Sequence, residues 1–128
     1  MEIDGFELIE QLLGVAVRDY FLRELCWRIR KAEAGEATLF RVGTDSFATI
    51  LPGASPAQAL AVAERVRAAV GNARLPHEGD EMAFSLGVGT CGLVADRPAK
   101  AEAMLAVAEA RCRQAAEAGG DRVIAAGS

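Results

Sequence analysis

The sequence predicts an α+β fold in which helices cover a mostly antiparallel sheet. Three observations predict it. Two apolar runs face each other across a polar tip at residues 39–52, several stretches carry apolar residues every three to four positions, and short β-rich stretches lie near both ends and before the last helix. With 128 residues, 52% of them apolar, the chain is expected to be one ordinary domain spanning 1–128. A chain of that size buries about two-thirds of its unfolded surface.

Residues 1–4 form a stub of strand, and Phe6, Ile9, Leu12 and Leu13 recur at helical spacing between Gly5 and Gly14. Asp19 is placed to cap a second helix. Its apolar stripe would be Leu22, Leu25, Cys26 and Ile29, with Arg23, Arg28, Arg30 and Lys31 outside and Gly35 as its stop. The hairpin follows, β-branched and aromatic in both arms, with Gly43, Thr44, Asp45 and Ser46 at the tip. Ser55-Pro56 is a cap plus first-turn proline for a third helix that buries Leu60, Ala63, Val66 and Val70. Residues 71–80 read as a polar loop and 82–91 as one interior strand, in which Gly87 and Gly89 permit close approach of another element. Pro98 opens a last helix with Ala101, Met104, Leu105, Ala108, Cys112 and Ala115 inside. Gly119-Gly120 stops it before a final strand at 122–125.

Fourteen Lys and Arg against eighteen Asp and Glu leave a net charge of −4. The cations are scattered rather than striped, so the expected partners do not include nucleic acid. Cys26, Cys91 and Cys112 have neither zinc-site spacing nor disulfide density and read as reduced thiols. No run approaches the roughly eighteen consecutive apolar residues of a membrane span, and Glu2, Asp4 and Glu7 are unlike a basic leader. The expectation is a cytoplasmic chain without membrane contact of its own. His77 stands alone in the polar loop and reads as solvated. The chain carries no Ser/His/Asp order, P-loop or dinucleotide fingerprint.

Arg41, Gly43, Asp45 and Phe47 stand at the spacing of Arg-Tyr-Gly-Gly-Asp-Glu-Phe followed by an apolar strand and a proline, the hairpin signature of the GGDEF domain of diguanylate cyclases. Glu2, Asp4, Phe6, Ile9, Gly14 and Asp19 keep the register of that family's first strand and helix. Ser85-Leu86-Gly87-Val88 is similar to its Ser-Ile-Gly strand. Ala108-Glu109 and Gly119-Gly120-Asp121-Arg122-Val123 are similar to its Ala-Asp helix and Gly-Arg-Asn ending. The chain thus resembles a GGDEF domain over nearly its whole length. The resemblance implies the nucleotide-cyclase-like, ferredoxin-like fold, here with the first strand and the helix before it truncated. A sheet shortened in that way is expected to self-associate or to dock on another domain.

The resemblance also implies a chemistry, the condensation of two GTP molecules into cyclic di-GMP across a dimer, with carboxylates holding Mg²⁺ or Mn²⁺ against the phosphates. Glu2 and Asp45 would be the metal ligands. On their own terms Glu2 is a solvated end residue and Asp45 a turn-capping carboxylate or a residual ligand. Ser46 takes the place of the signature Glu and cannot supply its charge or accept a proton as it does. Thr44 replaces the second signature Gly, with a β-branched side chain that disfavours positive φ and close approach of a phosphate. Glu10 stands where the family reads guanine with Asn, and Asp19 alone keeps a guanine-contacting role. Ala116 and Gly120 replace the Lys and Arg that hold the triphosphate. The product site Arg-x-x-Asp would fall at residues 34–37, where none of its charged residues is present.

The expectation is a catalytically inactive GGDEF-like domain with a regulatory or interaction role in cyclic di-GMP signalling. Its partners would be a second copy or a neighbouring signalling domain, an EAL type among them. No cofactor is expected, and Mg²⁺ only if GTP binding survives. The alternatives are a GTP-binding sensor, a weak relic cyclase, and an unrelated α+β interaction module.

Overall fold

The computed structural model describes residues 1–35 and 37–126. Its elements are β1 (Glu2–Ile3), α1 (Phe6–Leu13), α2 (Val15–Glu33), β2 (Thr38–Arg41), β3 (Phe47–Ile50), α3 (Pro56–Gly71), β4 (Arg74–His77), β5 (Asp80–Ala83), β6 (Leu86–Gly89), α4 (Leu93–Asp96), α5 (Ala101–Glu117) and β7 (Arg122–Ile124). β6 lies between β1, antiparallel, and β7, parallel. β2–β3 and β4–β5 are antiparallel hairpins. A bridge from Glu2 to Ser46 joins β1 to the signature hairpin. The α+β class with predominantly antiparallel pairing is therefore the observed one.

The core gathers where the amphipathic faces meet the sheet. Ile3, Phe6, Phe21, Leu25, Ile29, Val66, Val70 and Leu86 are buried almost completely. Phe21 packs on Phe84 with ring centroids 5.1 Å apart, and Phe84 on Phe6 at 6.5 Å. Tilted or edge-on aromatic pairs of this kind add about 0.5–1.5 kcal/mol each beyond the area they bury. Ser55 caps α3 through a complete capping box with Gln58, as Ser55-Pro56 predicts. Gly89 shows why a glycine is needed on β6. A Cβ there would run into the Ala108 carbonyl and come within 2.5 Å of the Cys112 amide, so α5 lies directly on the strand.

Several boundaries differ from the sequence expectation. α2 starts at Val15 behind Gly14, so Asp19 lies inside the helix and caps nothing. The predicted polar loop contains β4, because Leu75 is buried and its strand pairs with β5 across a tight turn at Glu78-Gly79. The interior strand predicted for 82–91 is two strands, β5 and β6, with Phe84 and Ser85 between them. Pro98 precedes the last helix instead of opening it, since α5 begins at Ala101 after the short α4. Leu60 and Leu105, expected inside, are exposed, because Ala63, Val66, Cys112 and Ala115 already fill the contact faces.

Candidate functional site

The hairpin tip is built by its own backbone. Val42 and Gly43 N–H both donate to the Ser46 carbonyl, at 3.0 and 3.3 Å. Arg41 folds over the tip and donates to the carbonyls of Gly43 at 3.0 Å and Thr44 at 2.8 Å. None of residues 43–46 has positive φ, so Thr44 fits this turn without strain. The tip is nevertheless tight at Gly43, where a Cβ would collide with the Ser46 hydroxyl.

β1 lies against that tip. Ile3 N–H donates to the Asp45 carbonyl at 3.2 Å and Phe47 N–H to the Met1 carbonyl at 2.8 Å. Glu2 and Asp45, far apart in the chain, thereby become neighbours. Burial pushes the Glu2 carboxyl above its ordinary value, and the charge of Asp45 adds to the effect. Mg²⁺ commonly takes one or two carboxylates and completes its octahedron with water and phosphate oxygens. Here the third group at the tip is the Ser46 hydroxyl. Among the described residues no three His, Cys, Asp or Glu side chains converge as metal ligands. Two adjacent carboxylates, their charge partly offset by the Met1 ammonium and Arg113, are the ligands that would hold such a cation together with water and phosphate oxygens.

The two positions that the resemblance assigns to guanine meet across the α1–α2 junction, and a third residue occupies the space between them. Arg18 places Nη1 3.0 Å from Glu10 Oε2 and Nη2 2.9 Å from Asp19 Oδ1, with Nε also donating to Asp19 at 3.2 Å. Its side chain is 15% exposed, less than those of Glu10 and Asp19. Sequence reasoning missed Arg18. The available signal was a cation directly before Asp19 on the helix that follows Glu10.

The phosphate end is equally self-satisfied. Ala116 is exposed near the end of α5. Gly120 is buried at φ 73, and a Cβ there would lie 2.6 Å from the Asp4 carboxylate. That carboxylate accepts from the Ser85 hydroxyl at 2.6 Å and from the Asp121 amide at 2.8 Å, so Asp4 ties β1 to the start of β6 and to the turn before β7. Of the two arginines on α5, Arg113 is exposed and its charge reaches Glu2, whereas Arg111 is committed elsewhere. It forms a two-pronged pair with Asp96 of α4, at 2.6 and 2.9 Å, and donates to the Thr90 carbonyl at 2.6 Å. Of the stretch 34–37, position 36 lies outside the described residues. Ala34 and Ala37 line a cavity beside Glu33. Among the described residues no helix is long and apolar enough to cross a membrane.

The family described as "Diguanylate cyclase, GGDEF domain" matches residues 1–122. The crystal structure of the FimX GGDEF domain from Pseudomonas aeruginosa superimposes with a TM-score of 0.87 at 28% identity, covering 95% of this chain and 75% of that one. Diguanylate cyclase A of Treponema denticola is 29% identical over 89 residues, which are 70% of this chain and 24% of that protein. MucR of Pseudomonas aeruginosa, a bifunctional diguanylate cyclase/cyclic di-GMP phosphodiesterase, is 32% identical over 66 residues, 52% of this chain and 10% of that protein. The chain thus spans a quarter or less of these two relatives.

Proposed function

The chain belongs to the GGDEF domain family of diguanylate cyclases, and from that premise we propose that it is a member without cyclase activity that works in cyclic di-GMP signalling by interaction. The family match sets aside an unrelated α+β module. The observation that carries the reading is Arg18 between Glu10 and Asp19. A guanine edge would have to displace a guanidinium held by two carboxylates, leaving those carboxylates unpaired and facing each other. Ser46, Ala116 and Gly120 support the same conclusion at the metal and phosphate ends, because none can neutralise a triphosphate or replace a catalytic carboxylate.

What the domain retains is a scaffold. Among the described residues β2 pairs only with β3, so its outer edge is open, and Phe40, Val42 and Ile50 are exposed on the same hairpin. An open edge with exposed apolar side chains suits a second copy or a neighbouring domain. MucR, which joins both activities in one protein, supports a neighbour of the phosphodiesterase (EAL) type. The domain acts in the cytoplasm, where GTP and cyclic di-GMP are found, and needs no cofactor.

A second reading, a GTP sensor or weak relic cyclase requiring Mg²⁺, is favoured by one observation, the adjacency of Glu2 and Asp45. Calorimetric titration of the folded chain with GTP, with and without Mg²⁺, decides between them. The expected result is no heat at millimolar GTP. Saturable, magnesium-dependent binding tighter than about 100 μM, roughly 5.5 kcal/mol, would overturn the interaction-only reading.

A further inference from the structure

Glu33 is the one charged residue buried in the core among the described residues, 5% exposed at the C-terminal end of α2. Asp96, by contrast, is paired with Arg111. Glu33 forms no such ion pair among the described residues. The Thr49 hydroxyl beside it is buried without a formed hydrogen bond of its own. A buried carboxylate whose neighbouring hydroxyl forms no hydrogen bond is costly and marks a place where a donor from outside would be stabilising.

Glu33 also borders open space. Glu33 lines an open cavity of about 410 Å³ between α2, the end of β3 and α3, and a second of about 330 Å³ toward β2. The larger one is walled by apolar or small residues, among them Ala37, Leu51, Pro52, Ala61 and Val62. Two cations border the cavities, and neither forms an ion pair with Glu33, although the charge of Arg30 reaches it. Arg65 spends its Nε on the Ala32 carbonyl at 3.0 Å, and Arg30 is exposed on α2. An apolar wall leading to a buried carboxylate complements a methylene stem that ends in a cation.

We infer that the cavity at Glu33 binds an alkylguanidinium or alkylammonium ion, its charged head on Glu33 and its stem along Leu51 and Val62. The ion is either a free small molecule or the Arg or Lys side chain of a partner. This site is separate from the guanine and phosphate positions, so the inference stands whether or not GTP binds. It also inverts the family expectation for this stretch, where charged residues would capture an anion.

The test uses n-butylguanidinium as the probe and its uncharged analogue n-butylurea as the control, at constant ionic strength, followed through the amide resonances of the ¹⁵N-labelled chain. Saturable shifts at Ala34, Ala37, Thr49 and Gly53 with butylguanidinium, absent with butylurea, are expected. Glu33→Gln should weaken binding about tenfold or more, the scale for losing a charge-assisted contact, while Glu102→Gln on the exposed start of α5 leaves it unchanged. The butylurea comparison is made on the unaltered protein, so it decides the matter even if Glu33→Gln unfolds. Equal binding of butylurea, shifts scattered over the acidic surface, or no saturation would overturn the inference. Running acetyl-Gly-Arg-Gly-amide in parallel identifies the source. Binding of the peptide as well as the free ion points to a partner's side chain, and binding of the free ion alone to a small molecule.

Discussion

Arg18 Nη1 lies 3.0 Å from Glu10 Oε2, joining the first turn of α2 to the last turn of α1 across Gly14. The same guanidinium holds Asp19, so one side chain neutralises both acids at the positions that the resemblance assigns to guanine.

Replacing Arg18 with Ala should therefore change stability and ligand binding by different amounts. Glu10 and Asp19 are 38% and 46% exposed, and water screens both pairs. The loss should be small, as for solvent-screened ion pairs, read from urea denaturation and shrinking with added salt. GTP titration of the variant should still give no heat, because opening the base position leaves Ala116 and Gly120 without charge. Binding of GTP by Arg18→Ala would show instead that the guanidinium alone excludes the nucleotide.

Restoring the signature acid should not restore the enzyme. Ser46→Glu would put a third carboxylate beside Glu2 and Asp45, where the Glu2 carboxyl already sits above its ordinary value from burial and the Asp45 charge. Chromatography of an incubation with GTP and Mg²⁺ should show no cyclic di-GMP. Detectable product from this single change would mean that the phosphate and base positions are more competent than their side chains suggest.

The sequence was most informative where local chemistry decides the outcome. The capping box at Ser55, the hairpin from Thr38 to Ile50 and the close approach at Gly89 are each dictated by a few adjacent residues. It was least informative where burial in the folded chain decides. Arg74–His77 is polar by composition, yet it becomes a strand because Leu75 reaches the core and the Glu78-Gly79 turn returns the chain to β5. Asp19 has the chemistry of a cap, but Gly14 breaks the helix five residues earlier. At the site, the motif spacing pointed to Glu2, Glu10, Asp19, Asp45 and Ser46. Arg18, which holds Glu10 and Asp19, Asp4, which ties Ser85 and the Asp121 amide, and the Arg41 clasp on Gly43 and Thr44 form contacts that no spacing rule encodes.

Asp4 and Gly120 should behave as one unit. Asp4→Ala removes the acceptor for Ser85 and the Asp121 amide and should cost about 1–3 kcal/mol, the scale for charged hydrogen bonds left unmade. Gly120→Ala forces a Cβ to 2.6 Å from the same carboxylate at positive φ and should cost a similar amount. In the double variant the clash disappears with the carboxylate, so the combined loss should be less than the sum. Strict additivity in a urea-denaturation cycle would show that backbone strain at Gly120, not contact with Asp4, dominates.

Two acids should tilt the pH dependence of stability in opposite senses. Hydrogen bonds from Arg111, and then from the Gly92 amide, hold the Asp96 carboxyl well below its ordinary 3.8. Its contribution is fully present above that value and is lost as pH falls through the depressed folded value. Burial raises the Glu33 carboxyl above 4.5, so the fold favours its neutral form. That contribution is present below 4.5 and is lost as pH rises through the folded value. Asp96→Asn should cost about 1–3 kcal/mol near pH 7, the scale for hydrogen bonds to a charged group, and the deficit should shrink on acidification. Glu33→Gln should gain on the unaltered protein near pH 7 and fall back toward it in acid, because the amide mimics the neutral acid. Urea denaturation across the acid range separates the two. If the Glu33→Gln difference does not change with pH, the folded chain leaves that carboxyl close to its unfolded affinity for protons, and burial at the end of α2 is not what sets its charge.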